Sequence, residues 1–119
     1  LFAAALADLT RQGYDEAIAN LRSFVTRYPR DPRVADARLR LGDAFSAMRR
    51  YAEAISEYEA VIQSFPDSPL VPAALYRQGQ ARLALGDQTG CRLFRDVAGR
   101  FPQSPEASLA RQALSSACQ

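Results

Sequence analysis

The chain repeats itself at a fixed interval. Tyr14-Asp-Glu-Ala-Ile18 returns as Tyr51-Ala-Glu-Ala-Ile55, and Tyr28-Pro29 returns as Phe65-Pro66, both 37 residues on. Gly42 moves to Gly79 by the same interval, whereas Phe65-Pro66 moves to Phe101-Pro102 by 36, so one residue is lost in the third copy. The loss falls in the turn where Met48-Arg49-Arg50-Tyr51 faces Leu85-Gly86-Asp87. Ala17, Ala54 and Gly90 then become equivalent, as do Ile18, Ile55 and Cys91, and Leu21, Tyr58 and Phe94. A period of this length means that each copy is one supersecondary unit, which buries its apolar face only by stacking on its neighbours.

Each unit reads as two helices and a tight turn. Val34, Ala37, Leu41, Ala44, Phe45 and Met48 recur at spacings of three and four, as do Ala54, Ile55, Tyr58, Val61, Ile62 and Phe65; that is one apolar face of a helix, twice. Pro29, Pro66 and Pro102 end each second helix, because proline has no N–H and keeps its predecessor out of helical torsions. Asp31-Pro32, Ser68-Pro69 and Ser104-Pro105 place an N-cap before a first-turn proline, so each stop should be followed at once by a start. Gly42 and Gly79 oppose Ala54 and Gly90, small residues that let helix backbones approach. The expected architecture is all-α, without strands: one domain over residues 1–119, with units at about 1–30, 31–67 and 68–103. The first unit enters partway through its first helix, and a capping helix covers about 104–118.

These landmarks resemble the tetratricopeptide repeat, through Leu41, Gly42, Phe45, Ala54, Tyr58 and Pro66 in the clearest unit. The resemblance implies a right-handed superhelix of three helix pairs plus a C-terminal cap. The third unit departs from it: Gln78 and Arg82 replace Leu41 and Phe45, which predicts a more solvated helix near the end of the stack. The 36- to 37-residue period, the phrases FPDSP and FPQSP, Ala74-Leu75-Tyr76, Leu85-Gly86-Asp87 and Cys91 are similar, over nearly the whole chain, to the C-terminal repeat domain of the Tol-Pal-associated cell-division coordinators, the CpoB or YbgF family. That resemblance implies a periplasmic protein that trimerises through an upstream coiled coil. It also implies binding to the inner-membrane protein TolA and coordination of peptidoglycan synthesis with outer-membrane constriction, with the synthase complex as a further partner.

Other function classes find less support. Fifteen basic and 13 acidic residues leave a net charge of +2, and the basic residues are scattered, which argues against a nucleic-acid surface. All of them are arginine, a pattern that suits a GC-rich genome. Histidine is absent, removing the commonest general base and metal ligand. No nucleophile–base pair, phosphate-binding glycine loop or metal cluster stands out, so neither an enzyme nor a cofactor is expected. Glu16 and Glu53 recur at the start of second helices, where a carboxylate faces the positive end of the helix dipole. No apolar run approaches the roughly 18 to 20 residues of a membrane span. Leu1 stands first with no secretion-signal pattern, so an excised domain is expected, with any targeting segment upstream. An upstream heptad segment would suit the division coordinators, and an upstream lipobox an outer-membrane assembly lipoprotein (BamD-like) of similar repeats. A chaperone adaptor that clamps a C-terminal carboxylate would need lysine, which the chain lacks.

Binding is what a repeat stack most readily supplies, through a concave groove lined by the first helices. The 37-residue shift makes Phe2, Leu39 and Tyr76 an equivalent apolar stripe, with Asp43, Gln80 and Leu83 in neighbouring rows. These six are the candidate partner-binding residues; the other reading of the stripe is packing of first helices against one another. On the groove reading, Leu39→Ala and Tyr76→Ala would weaken binding and leave melting unchanged. Cys91 takes the place of two isoleucines, so burial as a small hydrophobe would explain it. Cys118, at the end of an antiparallel capping helix, falls about three residues beyond the ideal position for a disulfide with Cys91, a gap that modest tilt would close.

Overall fold

The computed structural model describes residues 1–119. Seven helices follow in order: α1 (Phe2–Thr10), α2 (Tyr14–Arg27), α3 (Val34–Ala47), α4 (Tyr51–Ser64), α5 (Val71–Ala84), α6 (Gly90–Arg100) and α7 (Pro105–Ala117). Each packs on the next, as the expected three helix pairs plus a cap require. Among the odd-numbered helices α3 also touches α5 and α5 touches α7, while no two even-numbered helices pack comparably. The odd helices therefore line the tighter, inner side of the stack, and the even helices form the outer side. No helix is long and apolar enough to cross a membrane.

The period is visible in the backbone. Gln12, Arg49 and Gly86, spaced at the repeat interval, are the three residues with positive φ, at 61°, 60° and 80°. In each unit the following residue sends its N–H back to a carbonyl five residues earlier: Gly13 to Asp8, Arg50 to Phe45 and Asp87 to Arg82, at 2.7, 2.8 and 2.8 Å. This left-handed closure satisfies carbonyls that a helix end would otherwise leave unpaired. Only the third unit places glycine at the left-handed position, where an L side chain is strained. The lost residue lies just beyond this turn. In its place Asp87 accepts from the Thr89 N–H at 3.0 Å and from Thr89 Oγ1 at 2.6 Å, and the second helix begins only at Gly90.

Second helices stop as expected, at Tyr28, Phe65 and Phe101, each the residue before a proline. The starts differ from expectation. Ser104 is the N-cap of α7, with Oγ accepting from the Ala107 N–H at 3.1 Å and Pro105 in the first turn. Asp31 and Ser68 do not cap α3 and α5. Their side chains accept from the N–H two residues on, Arg33 at 2.9 Å and Leu70 at 3.1 Å. Such short local turns compete with capping, and regular helix begins only at Val34 and Val71.

Small residues set the helix crossings. A Cβ on Gly90 would lie 2.5 Å from the carbonyl oxygen of Gly79, so these two glycines bring backbone against backbone. At Gly42 the space is filled instead by the Tyr58 ring, 2.4 Å from where a Cβ would stand, rather than by Ala54. Phe94 takes the same place beside Gly79. The buried core runs from Ala5 through Leu21, Phe24, Leu41, Phe45 and Tyr58 to Ala74, and continues under the cap as Val71, Leu75, Phe94, Val97 and Ala110. Cys91 and Cys118 are joined, with Cα atoms 5.8 Å apart. The cap is thus covalently fastened to the second helix of the third unit.

Candidate functional site

Two hollows lie on opposite sides of the stack. The inner one, of about 540 Å³, opens between α3 and α5 with α4 at its base. Asp43 organises it. Its carboxylate accepts from the Tyr58 hydroxyl at 2.6 Å and pairs with Arg77 Nη1 at 2.6 Å, and Ser46 Oγ lies 3.4 Å from the same hydroxyl. Burial raises the Asp43 carboxyl above its ordinary pKa, against the opposing pull of the Tyr58 hydrogen bond and of the Arg77 and Arg40 charges. Burial together with the neighbouring Asp43 charge drives the Tyr58 phenol well above its usual value. Tyr58 therefore acts as a neutral hydrogen-bond donor, and the Asp43–Arg77 pair ties the first helices of adjacent units together. Gln80 stands exposed at the lip and donates through Nε2 to the Tyr76 hydroxyl at 3.2 Å.

The six predicted residues do not form one surface. Asp43 and Gln80 share this hollow. Tyr76 is half-buried, its ring 5.5 Å from Phe94 between centroids, with its hydroxyl beside Gln80. Leu83 is half-buried and packs on the cluster around Phe94. Phe2 lies at the other end of the molecule, 5.3 Å from Phe24 between ring centroids. Leu39 is only 5 % exposed and belongs to the core. Phe2 and Tyr76 also lean on the second helix of their own unit, so the apolar stripe is mainly a packing seam. Leu39→Ala would destabilise the protein, by about 2–4 kcal/mol for a buried leucine, rather than report on binding. Sequence reasoning missed Arg77, the cation that holds Asp43. Only the spacing of Asp43 and Arg77 at nearly one repeat could have signalled it.

The outer hollow, of about 400 Å³, lies between α4 and α6 with α5 as its floor. Gln78 and Arg82 are there, and they correct the expectation of a solvated helix. Gln78 is 3 % exposed and is the one buried polar residue of the molecule. Its Oε1 accepts from Arg82 Nε at 2.8 Å. Arg82 also reaches Asp87 at 3.0 Å and Glu59 at 3.4 Å. The guanidinium, with its fixed fork of donors, replaces an apolar plug by a hydrogen-bonded one. Asp87 is held below the usual carboxylate range, first by its bonds from Thr89 and then by Arg82.

Comparison with known proteins agrees with the periodicity. No curated protein matches the chain. The family model described as Tetratricopeptide repeat matches twice, over residues 2–69 and 39–105. The two matches begin 37 residues apart and end 36 apart, reproducing both the period and the single lost residue. Matched over most of its length and built as stacked helix pairs with a capping helix, the chain belongs to the tetratricopeptide-repeat family.

Proposed function

We propose that this chain is a non-catalytic protein-binding scaffold that holds a partner polypeptide on its inner face. The observation that carries the reading is the inner hollow, where Asp43, Arg77 and Gln80 stand between two first helices, Asp43 held from below by the hydroxyl of the buried Tyr58. Tetratricopeptide repeats are in general protein-interaction modules, which supports a protein partner. A polar, half-open trough with tyrosine edges and an arginine suits an amphipathic helix or extended segment.

The finer reading is a periplasmic role in the Tol-Pal envelope system, with TolA as the partner. There the scaffold coordinates peptidoglycan synthesis with outer-membrane constriction during division, the full-length protein being a trimer through an upstream coiled coil. The support is the resemblance of FPDSP, FPQSP and the associated landmarks to that family, together with the Cys91–Cys118 pair, which suits an oxidising compartment. A pull-down from periplasmic extract with TolA as the query tests it. Wild-type chain should retain TolA, and Arg77→Ala combined with Gln80→Ala should reduce retention roughly tenfold, with helicity unchanged by circular dichroism. Undiminished capture by the double variant would refute the inner face, and failure of the wild-type chain to retain TolA would refute the partner.

A further inference from the structure

The outer hollow has unused binding capacity of a definite kind. Its walls include three aliphatic side chains, Ile62 from α4, Leu75 from α5 and Leu93 from α6. Gln78 lines its floor, almost wholly buried, with its carbonyl oxygen taken by Arg82 and its amide nitrogen donating to no group of the protein. No buried side-chain nitrogen or oxygen of the molecule lacks a partner, so this nitrogen keeps contact with solvent and is a donor reachable from the hollow. Of the charges around the hollow, Arg82 and Glu59 are paired with each other and Asp96 is paired with Arg100. Arg92, on α6, is exposed and makes no ion pair. What remains is a deep neutral donor, a cationic donor at the rim and an apolar wall between helices.

The preceding junction lacks all of this. One repeat earlier, Leu41 stands in place of Gln78 and Phe45 in place of Arg82, both fully buried, with Arg22 and Arg50 stacked on the Phe45 ring at 5.1 and 4.9 Å. Leu75 and Leu93 likewise stand where the preceding junction has Arg38 and Glu57, paired at 2.9 Å, so the hollow is particular to the third unit and is not a general property of the stack.

We propose that the outer hollow is a second binding site, for an aliphatic carboxylate: a branched apolar side chain between Ile62, Leu75 and Leu93, with an adjacent carboxylate that accepts from Gln78 Nε2 and pairs with Arg92. This is the chemistry of a polypeptide's C-terminal leucine-like residue and equally of a free N-acylated amino acid. The site stands apart from the inner face, so either assignment survives failure of the other.

The test is an NMR titration of the intact chain with N-acetyl-leucine, following the Gln78 side-chain amide and the methyl groups of Ile62, Leu75 and Leu93. These signals should move together and saturate. N-acetyl-leucinamide, which lacks the carboxylate, should bind at least about fivefold more weakly, as should N-acetyl-leucine to Arg92→Gln, an exposed change that spares the core. The double variant Gln78→Leu, Arg82→Phe transplants the pair that already packs one repeat earlier, and it should abolish the shifts. An acetylated tetraglycyl-leucine that binds more tightly than N-acetyl-leucine assigns the site to a polypeptide end; equal affinity assigns it to a free acid. Shifts that fall on the inner face instead, that persist in the double variant, or that are as strong with the amide would overturn the proposal.

Discussion

The two junctions between successive units have the same helices in the same arrangement and solve the packing problem in opposite ways. At the first, Phe45 closes the outer groove, capped by Arg22 and Arg50, with Arg22 also 3.7 Å from Glu53. At the second, the equivalent positions hold Arg82, Glu59, Asp87 and Thr89, so that the aromatic centre becomes a cation and the surrounding arginines become carboxylates. Charge is exchanged as a set, which is why both junctions are satisfied internally. The difference teaches that a repeat can change its plug from apolar to polar without changing the order in which its helices pack, provided the flanking charges change with it. The polar plug fills less of the groove and leaves an open hollow beside it.

Substitutions can break or sharpen this contrast. The largest effect is expected at the dry junction. Phe45→Ala should lower stability by about 3–5 kcal/mol, because a fully buried ring is lost, whereas Arg82→Ala should cost about 1 kcal/mol in its half-open setting. Urea denaturation of the two variants, compared at equal m-value, checks this, and equal losses would show that the two plugs are energetically alike. Next is the covalent tie beyond the second junction. Cys118→Ser opens a closure spanning 27 residues and should cost about 3 kcal/mol, read from the same titration under non-reducing conditions.

The glycines give smaller and graded effects. Gly42→Ala should cost about 1–3 kcal/mol as the Tyr58 ring is pushed aside. Gly90→Ala should cost more, since the atom in the way is the Gly79 backbone oxygen, which cannot swing clear. Gly99→Ala, in a helix with nothing within 4 Å of the new methyl, should raise stability by about 0.5–1 kcal/mol. Thermal melts rank the three, and a Gly90→Ala protein as stable as the wild type would refute the backbone contact.

The smallest effects are in pH, and their signs differ between the two sides of the stack. Asp87, held below its ordinary pKa, contributes stability above the unfolded value that is lost as pH falls through the folded one; Asp87→Asn should therefore weaken the protein near neutrality and not in strong acid. Asp43, raised by burial, acts in the reverse sense: its contribution is complete below the unfolded value and is lost as pH rises through the folded one. Carboxyl carbon chemical shifts followed through an acid titration should place Asp43 above 3.8 and Asp87 below it.

Much of the fold was legible because its determinants are local and recur. Prolines after Tyr28, Phe65 and Phe101 mark stops by covalent geometry alone, and the shift of 37 residues exposes the unit without any knowledge of contacts. The facing of a helix was less legible. Leu39 and Leu41 lie two positions apart on α3, and both are buried, because that helix has neighbours on several sides and an amphipathic reading assumes only one. Gln78 and Arg82 stand out in the sequence as departures, yet nothing in a linear pattern tells a solvated pair from one that bonds to itself across a turn. The same limit hid Arg77, whose meaning depends on a carboxylate in the preceding unit. Asp31 and Ser68 looked like Ser104, and only the partner chosen by each side chain separates a cap from a local turn.

The cysteine link makes the molecule mechanically unequal at its two ends. A linear array held by nearest-neighbour contacts sheds its terminal helices first, but here α7 cannot peel away without dragging α6, to which it is stitched. Fraying is left to α1, a short helix with a single buried residue and no such stitch. In this 119-residue chain amide exchange should accordingly be faster in α1 than in α7, and reduction of the link should bring the two together.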